Sequence, residues 1–582
     1  MTPTAKPEYT HEMMDDIPVL MHIMNEQMGL GELLDELRPG HGNWSGISEG
    51  QVLVMWLTHV VSTGKHYMSH VQDWAGKRLN TLGALLKCEV RPTDVSDDRL
   101  ASVAEHLSQN SLWESYERRV TQQLIRAYEL KPKRIRLDST TVSAHGQEDS
   151  ILFQFGHSKD HRPDLKQLKL MAAALDPLGL IAGTAVVPGN TPDDGLYIPM
   201  IDQMRETLGS SGMLYVGDAK MSALTTRAHT EATDNFYLTP LAHIGLVPKA
   251  LHGWVEDALQ GRVKLSTLYD VPPEDGSQPA LLGRGYERVR EQRGLDTTGA
   301  EIHWQERVLV VCSPQHAAAQ ERALQRRLAR ALDELRALTP PPGRGRRQFT
   351  DEANLHTQAQ TILKRLRVEG LITLTYKLEV THKSKRAYAG RPACVQESRR
   401  YVLNARRNTP AIRAQIQHFG WRAFVTNASR RDLSLSAAIQ AYRDEFLIEH
   451  NFSRIKGRTL SLSPLCLKRD DHVIGLTRLL TLAARVLSVV EFQARQKLHK
   501  LKRSLSGLVP GQPKRATAQP TAERLLEAFD QIILTVAHIG KRILHLTVTP
   551  LSKLQQDILH LLDCPIDLFL RVANQSLFPL RI

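Results

Sequence analysis

Cysteine is scarce and scattered. The five cysteines stand at Cys88, Cys312, Cys394, Cys466 and Cys564, an odd number without a Cys-x-x-Cys pair. That pattern argues against a disulfide framework or a thiolate zinc site and leaves reduced thiols. The 24 histidines are more numerous, but no His-x-x-x-His falls on a convincing helix with a third ligand. Long apolar runs are missing as well: no stretch of about 18 consecutive apolar residues is present, so no membrane span is expected. The opening Met1-Thr-Pro-Thr-Ala-Lys-Pro-Glu8 has no apolar core of the secretory kind, which places the expected chain in the cytoplasm. Internal repeats are absent too.

What is present is a long, basic, globular chain. With 582 residues, 42% of them hydrophobic and 24% charged, three or four domains are expected. The net charge of +13 favours a polyanion as partner through phosphate neutralisation and counterion release. A solvated basic surface without a partner is the plainer alternative.

Residues 1–130 read as helical. Ser48-x-x-Gln51 is a capping box before the apolar run Val52 to Leu57, and further helices are predicted over Ser96–Leu107 and Ser111–Leu130. Such a domain reads DNA or simply packs and dimerises. From Lys131 the texture changes. Arg134–Ser143, Leu168–Leu175 and Leu180–Val187 are predicted strands, the last two joined by the turn Asp176-Pro-Leu-Gly179. A helix follows (Asp194–Leu208), then a short strand (Met213–Asp218), a helix (Ser222–Ala232) and a strand (Phe236–Thr239). Strands first, then strands alternating with helices, predict a mixed α/β sheet over residues 131–242.

Residues 243–415 interrupt that sheet. Strands at Arg307–Cys312 and Leu371–Val380 accompany a long helix with Leu324, Leu328, Leu332 and Leu335 on one face. Pro340–Arg347 reads as a linker with a basic tail. Over 416–460 the sheet resumes with a strand at Trp421–Thr426 and one helix from Ser434 to Lys456. Residues 461–582 are expected to be helical, with a break at Ser504–Pro520, and helices such as Leu554–Leu562 to serve dimerisation.

Three acids stand out. Asp138 lies within a strand, where aspartate is depleted. Asp218 ends a short apolar strand, and ligands of open α/β sheets gather at carboxyl ends of strands. Glu449 shares a helix with Tyr442 and Lys456; measured from Tyr442, Glu449 lies about 20° and Lys456 about 40° away in projection. The ordinary alternatives are a cross-strand ion pair, a helix N-cap and an amphipathic helix edge. Three acids brought together would repel one another unless cations joined them. Two magnesium ions roughly 4 Å apart would suit such a site and serve in-line displacement at phosphorus. Lys456 would then reach a DNA phosphate.

These residues resemble the DDE insertion-sequence transposases with an RNase H-like core. The likeness is to the subgroup marked by Tyr-x2-Arg-x3-Glu-x6-Lys, the YREK signature. Tyr442, Glu449 and Lys456 match it, while Glu445 stands at the Arg position, and Arg443 or Arg454 would have to supply the missing charge. Leu137-Asp-Ser-Thr-Thr-Val142 and Val216-Gly-Asp-Ala219 are similar to the two strand motifs. Gly156-His-Ser-Lys-Asp-His-Arg-Pro-Asp-Leu-Lys-Gln167 is similar to a segment of one branch, with no catalytic role carried over.

The resemblance, over about residues 130–460, implies an α/β RNase H-like core with an inserted, partly β domain. Asp138, Asp218 and Glu449 would be catalytic and bind Mg2+, with Mn2+ as substitute. Tyr442, Lys456, Arg443, Arg454 and Trp421 would contact DNA, Trp421 by stacking on a flipped base at roughly 1–3 kcal/mol. Expected partners are double-stranded DNA, as terminal inverted repeats and target, and a second copy of the chain. The expected activity is endonucleolytic cleavage and strand transfer in a bacterial cytoplasm, beside the nucleoid. A nuclease that does not join ends and an inactive DNA-binding repressor remain the alternative readings.

Overall fold

The computed structural model describes residues 6–39, 46–145, 150–271, 278–343, 345–346, 348–386, 393–463, 465, 467–540 and 542–574. It comprises two compact units: Met1–Thr239 with Arg293–Trp304 and Ala441–Ile582, and Pro240–Gln292 with Gln305–Gln440. The first thus gathers both ends of the chain with the sheet. Residues 1–5, Cys466, and Arg344 and Arg347 of the expected linker lie outside the described residues. Cys88, Cys312 and Cys564 are free thiols.

In chain order the first unit holds β1 (Glu8–Met13), β2 (Arg134–Ser143), β3 (Gln167–Leu175), β4 (Leu180–Pro188), β5 (Leu214–Gly217) and β6 (Phe236–Pro240). The last five form a mixed sheet in the order β4-β3-β2-β5-β6. β2–β3 and β3–β4 are antiparallel, while β2–β5 and β5–β6 are parallel. The helices Tyr197–Leu208 and Leu224–Ala232 supply the crossovers that parallel pairing requires. β3 is buried along its whole length, in keeping with a near-continuous apolar sequence. Its lysine, Lys169, survives burial by pairing with Asp193 at 2.7 Å.

Ser48 does cap the helix Glu49–Thr63, in a capping box with Gln51. The helix Asp470–Leu501 is long and apolar enough to cross a membrane by length and composition, yet 94% of its most apolar stretch is buried inside the protein.

The second unit holds β7 (Ser266–Tyr269), β8 (Leu281–Leu295), β9 (Glu301–Cys312), β10 (Ile372–Lys385), β11 (Cys394–Arg407) and β12 (Trp421–Thr426), the tip of the β8–β9 hairpin counting with the first unit. β12 pairs antiparallel with β9, and β10 with β11 in a ribbon. The helix Pro314–Leu338 buries Leu324, Leu328 and Leu335 against Leu355, Leu363 and Ile372.

The remainder of the chain corrects two expectations. The C-terminal region is not all helix. Beyond the two-residue strands β13 (Leu505–Ser506) and β14 (Ala516–Thr517), it forms the hairpin β15 (Ile533–Ile539) and β16 (Arg542–Val548). Ile533-Leu-Thr-Val-Ala-His-Ile539 is rich in β-branched residues, and β1 adds to its other edge, tying the two ends of the chain together.

The helix expected over Ser434–Lys456 is two helices, Leu435–Arg443 and Phe446–Lys456. Arg136 donates to the Ala441 carbonyl at 2.6 Å, the acceptor an unbroken helix would give the Glu445 amide. That amide bonds Tyr442 O instead, at 3.2 Å. Tyr442 and Glu449 therefore do not share one continuous helical face.

Candidate active site

β2 and β5 pair through Leu137↔Gly217, so Asp138 and Asp218 are the next register neighbours on adjacent parallel strands. A Cβ on Gly217 would press on Met221 Sδ at 2.7 Å and on the Leu137 carbonyl of β2 at 3.3 Å. Asp138 Oδ1 accepts from the Ser139 amide at 2.7 Å and from Lys159 Nζ at 3.0 Å. Lys159 also donates to Ser139 O at 2.6 Å. Asp218 Oδ1 accepts from the Tyr197 hydroxyl at 2.6 Å and the Lys220 amide at 2.9 Å. Both aspartates are thus held by one oxygen, and Oδ2 of each has no hydrogen-bond partner among the described residues.

Burial pushes the Asp138 carboxyl above the usual range, and the Asp218 charge adds to this against Lys159 and the Ser139 amide. Burial also works against the Lys159 ammonium, but Asp138, Asp218 and Asp193 outweigh it and hold its pKa above the ordinary value. Burial and the carboxylates of Asp218, Asp138 and Asp193 push the Tyr197 phenol far up, so it remains a hydrogen donor.

The break between the two helices brings in a fourth carboxylate. Glu445 is pushed up to about 7, first by burial, then by the charges of Asp138, Glu449 and Asp218, while the Tyr442 hydroxyl donates to it. Glu449 is exposed. Lys456, two turns further on, pairs with Asp160 at 2.6 Å and reaches Thr141 O at 3.4 Å.

Asp138, Asp218, Glu445 and Glu449 offer hard oxygen donors of the kind magnesium and manganese take. Their mutual repulsion is a surplus of negative charge that a divalent ion would compensate, so the residues fit such an ion. The described groups of three ligand atoms within 4.8 Å of one another lie elsewhere, at His252–Glu256–His418 and Glu105–Asp471–His472.

Arg454 is buried and paired with Glu491 at 2.6 Å and Glu523 at 2.8 Å, committed to the fold. Arg443 is exposed at the end of its helix. Trp421 opens β12 in the second unit opposite Cys312, and is buried. Two residues beside the acids carry no role in the sequence pattern. Lys159 lies in the Gly156–Gln167 segment, which stood out in the sequence without a role. Glu445 is, in the sequence, a departure from arginine.

No family model matches the sequence, and no curated protein does. Among solved structures, a cryo-EM structure of a piggyBac transposase synaptic complex with hairpin DNA is similar to this chain at 10% identity and a TM-score of 0.25. The match spans 50% of this chain and 60% of that one, less than two thirds of its length.

Proposed function

We propose that this protein is a DDE-type DNA transposase on an RNase H-like core. The observation that carries the reading is the acidic cluster: Asp138 and Asp218 in neighbouring register on parallel strands, with Glu445 and Glu449 beside them in charge. The strand order β4-β3-β2-β5-β6, antiparallel on one side of β2 and parallel on the other, supports the core. The acids would hold Mg2+ or Mn2+, which supplies activation of a water or 3′ hydroxyl and stabilises the leaving oxygen.

The chain's own groups position that chemistry. Tyr197 and the Lys220 amide fix one oxygen of Asp218, and Lys159 and the Ser139 amide fix one oxygen of Asp138, which leaves the other oxygen of each for an ion. Glu445, with its pKa raised to about 7, can release a proton as the acid or accept one as the carboxylate near neutral pH.

DNA binding is supported by the exposed β10–β11 ribbon, where Lys377, Lys383, Lys385, Arg399 and Arg406 stand on a hairpin of the second unit. Cations spaced along a ribbon neutralise phosphates without reading sequence. Terminal inverted repeats as the bound DNA, Trp421 as a base-stacking residue, pairing of two copies on two ends, and a cytoplasmic site of action complete the proposal.

The test uses purified protein, labelled DNA with its flanking terminal repeats and a target plasmid, in magnesium or EDTA. Magnesium-dependent joined products in wild type, lost in Asp138→Asn with binding retained, are expected. Cleavage without joining would make the protein a nuclease. Binding without cleavage would make it a repressor.

A further inference from the structure

In the second unit, two helices bring three metal-ligating side chains together. His252 and Glu256 stand one turn apart on Val247–Leu259, whose buried face is Leu251, Val255 and Ala258. His418 ends the helix Thr409–Gln417. Their ligand atoms lie within 4.8 Å of one another, His252 exposed and the other two half-buried. The two imidazoles stack, with centroids 5.1 Å apart and 15° between planes.

The hydrogen bonds of His418 say what this arrangement wants. Nδ1 faces the Ala414 carbonyl at 3.0 Å, and Nε2 faces Glu256 Oε1 at 2.8 Å. Both neighbours are acceptors, and a neutral imidazole has one proton to give. With that proton on Nδ1, the Nε2 lone pair meets a carboxylate, a contact that a shared cation or a second proton would relieve. A second proton would suffice for a simple ion pair. A cation would in addition engage His252, whose ligand atom lies within 4.8 Å of the other two.

We propose that His252, Glu256 and His418 bind one zinc-class divalent cation. Two imidazole nitrogens and one carboxylate oxygen are a borderline donor set that suits zinc rather than magnesium, which separates this site from the all-oxygen cluster. The Nδ1 to Ala414 bond is the outer support that fixes a ligating ring and its tautomer. The ion would clip the helix Val247–Leu259 to the end of Thr409–Gln417, joining segments far apart in sequence and stabilising the unit by mass action.

The test compares full-length wild type with His252→Gln/His418→Gln by zinc titration against a chromophoric chelator and by thermal unfolding with and without zinc. Wild type should take up one zinc more than the double variant, and zinc should raise Tm only where the site is intact. Glu256→Gln should weaken the zinc by at least about tenfold. Equal uptake by wild type and double variant would overturn the proposal. So would a zinc-independent wild-type Tm with both His418 nitrogens carrying protons by 15N NMR, which is the signature of an ion pair only. Neither readout depends on DNA cleavage.

Discussion

Glu445 carries its consequences in its own ionisation. Its folded pKa of about 7 lies above the ordinary 4.5, so between those values the folded state binds a proton that the unfolded state has given up. Stability from this group therefore falls as pH rises from about 4.5 and is fully lost above about 7. In magnesium-free buffer Glu445→Gln should stabilise the protein by about 1–2 kcal/mol at pH 8, after allowance for solvent screening, and change little at pH 4. Denaturant unfolding at both pH values checks this, and a variant no more stable at pH 8 would mean that the carboxylate is not crowded. The same variant should lose at least about a hundredfold in DNA cleavage. Glu449→Gln, measured beside it, decides which of the two acids the chemistry requires.

Arg136 shows how one side chain shapes an element. It is buried, takes both oxygens of Asp176 at 2.6 Å, and holds the carbonyl that would have continued the helix. Arg136→Met should cost about 3–5 kcal/mol, because Asp176 would be left buried with Arg134 alone at 3.7 Å. A loss under about 1 kcal/mol by denaturant unfolding would show that the break does not depend on this pair. The β10–β11 ribbon gives a prediction of another kind. Lys383→Ala/Lys385→Ala should weaken duplex binding about equally for all sequences and reduce the salt slope by about 2. An unchanged slope by fluorescence anisotropy would remove the ribbon from the interface.

These elements also mark what sequence patterns convey. β2 and β12 were legible residue for residue, and β3 to β6 nearly so, because strand alternation and turn residues are local signals. The break after Arg443 was not, since the side chain that takes the Ala441 carbonyl there, Arg136, lies 305 residues away. Asp138 and Asp218 were legible as a pair from their strand contexts. Lys159 and Glu445 were not, because a loop folding over β2 and a bend between helices leave no periodicity.

At the scale of the molecule, the first unit depends on a charge pair in its interior. Glu117, on the helix Asn110–Ala127, meets Arg485 of the helix Asp470–Leu501 with both side chains fully buried. Glu117 also accepts from the Thr184 amide and hydroxyl of β4, each at 2.9 Å, and from Gln203 at 2.9 Å. One carboxylate thus joins the early helices, the sheet and the late helix, which is why residues 1–130 and 461–574 do not stand apart from the core. Burial pushes Glu117 up and Arg485 down, so for both the cost of leaving water outweighs their attraction. The pair therefore specifies the arrangement more than it stabilises it. Glu117→Gln alone keeps an acceptor for Thr184 but strands the Arg485 charge, and should cost about 3–5 kcal/mol. Adding Arg485→Met removes the stranded charge and should restore most of that loss. A double-mutant cycle by denaturant unfolding measures the coupling, and a double variant no better than Glu117→Gln would mean that the hydrogen bonds to β4, rather than the charge pair, hold the three regions together.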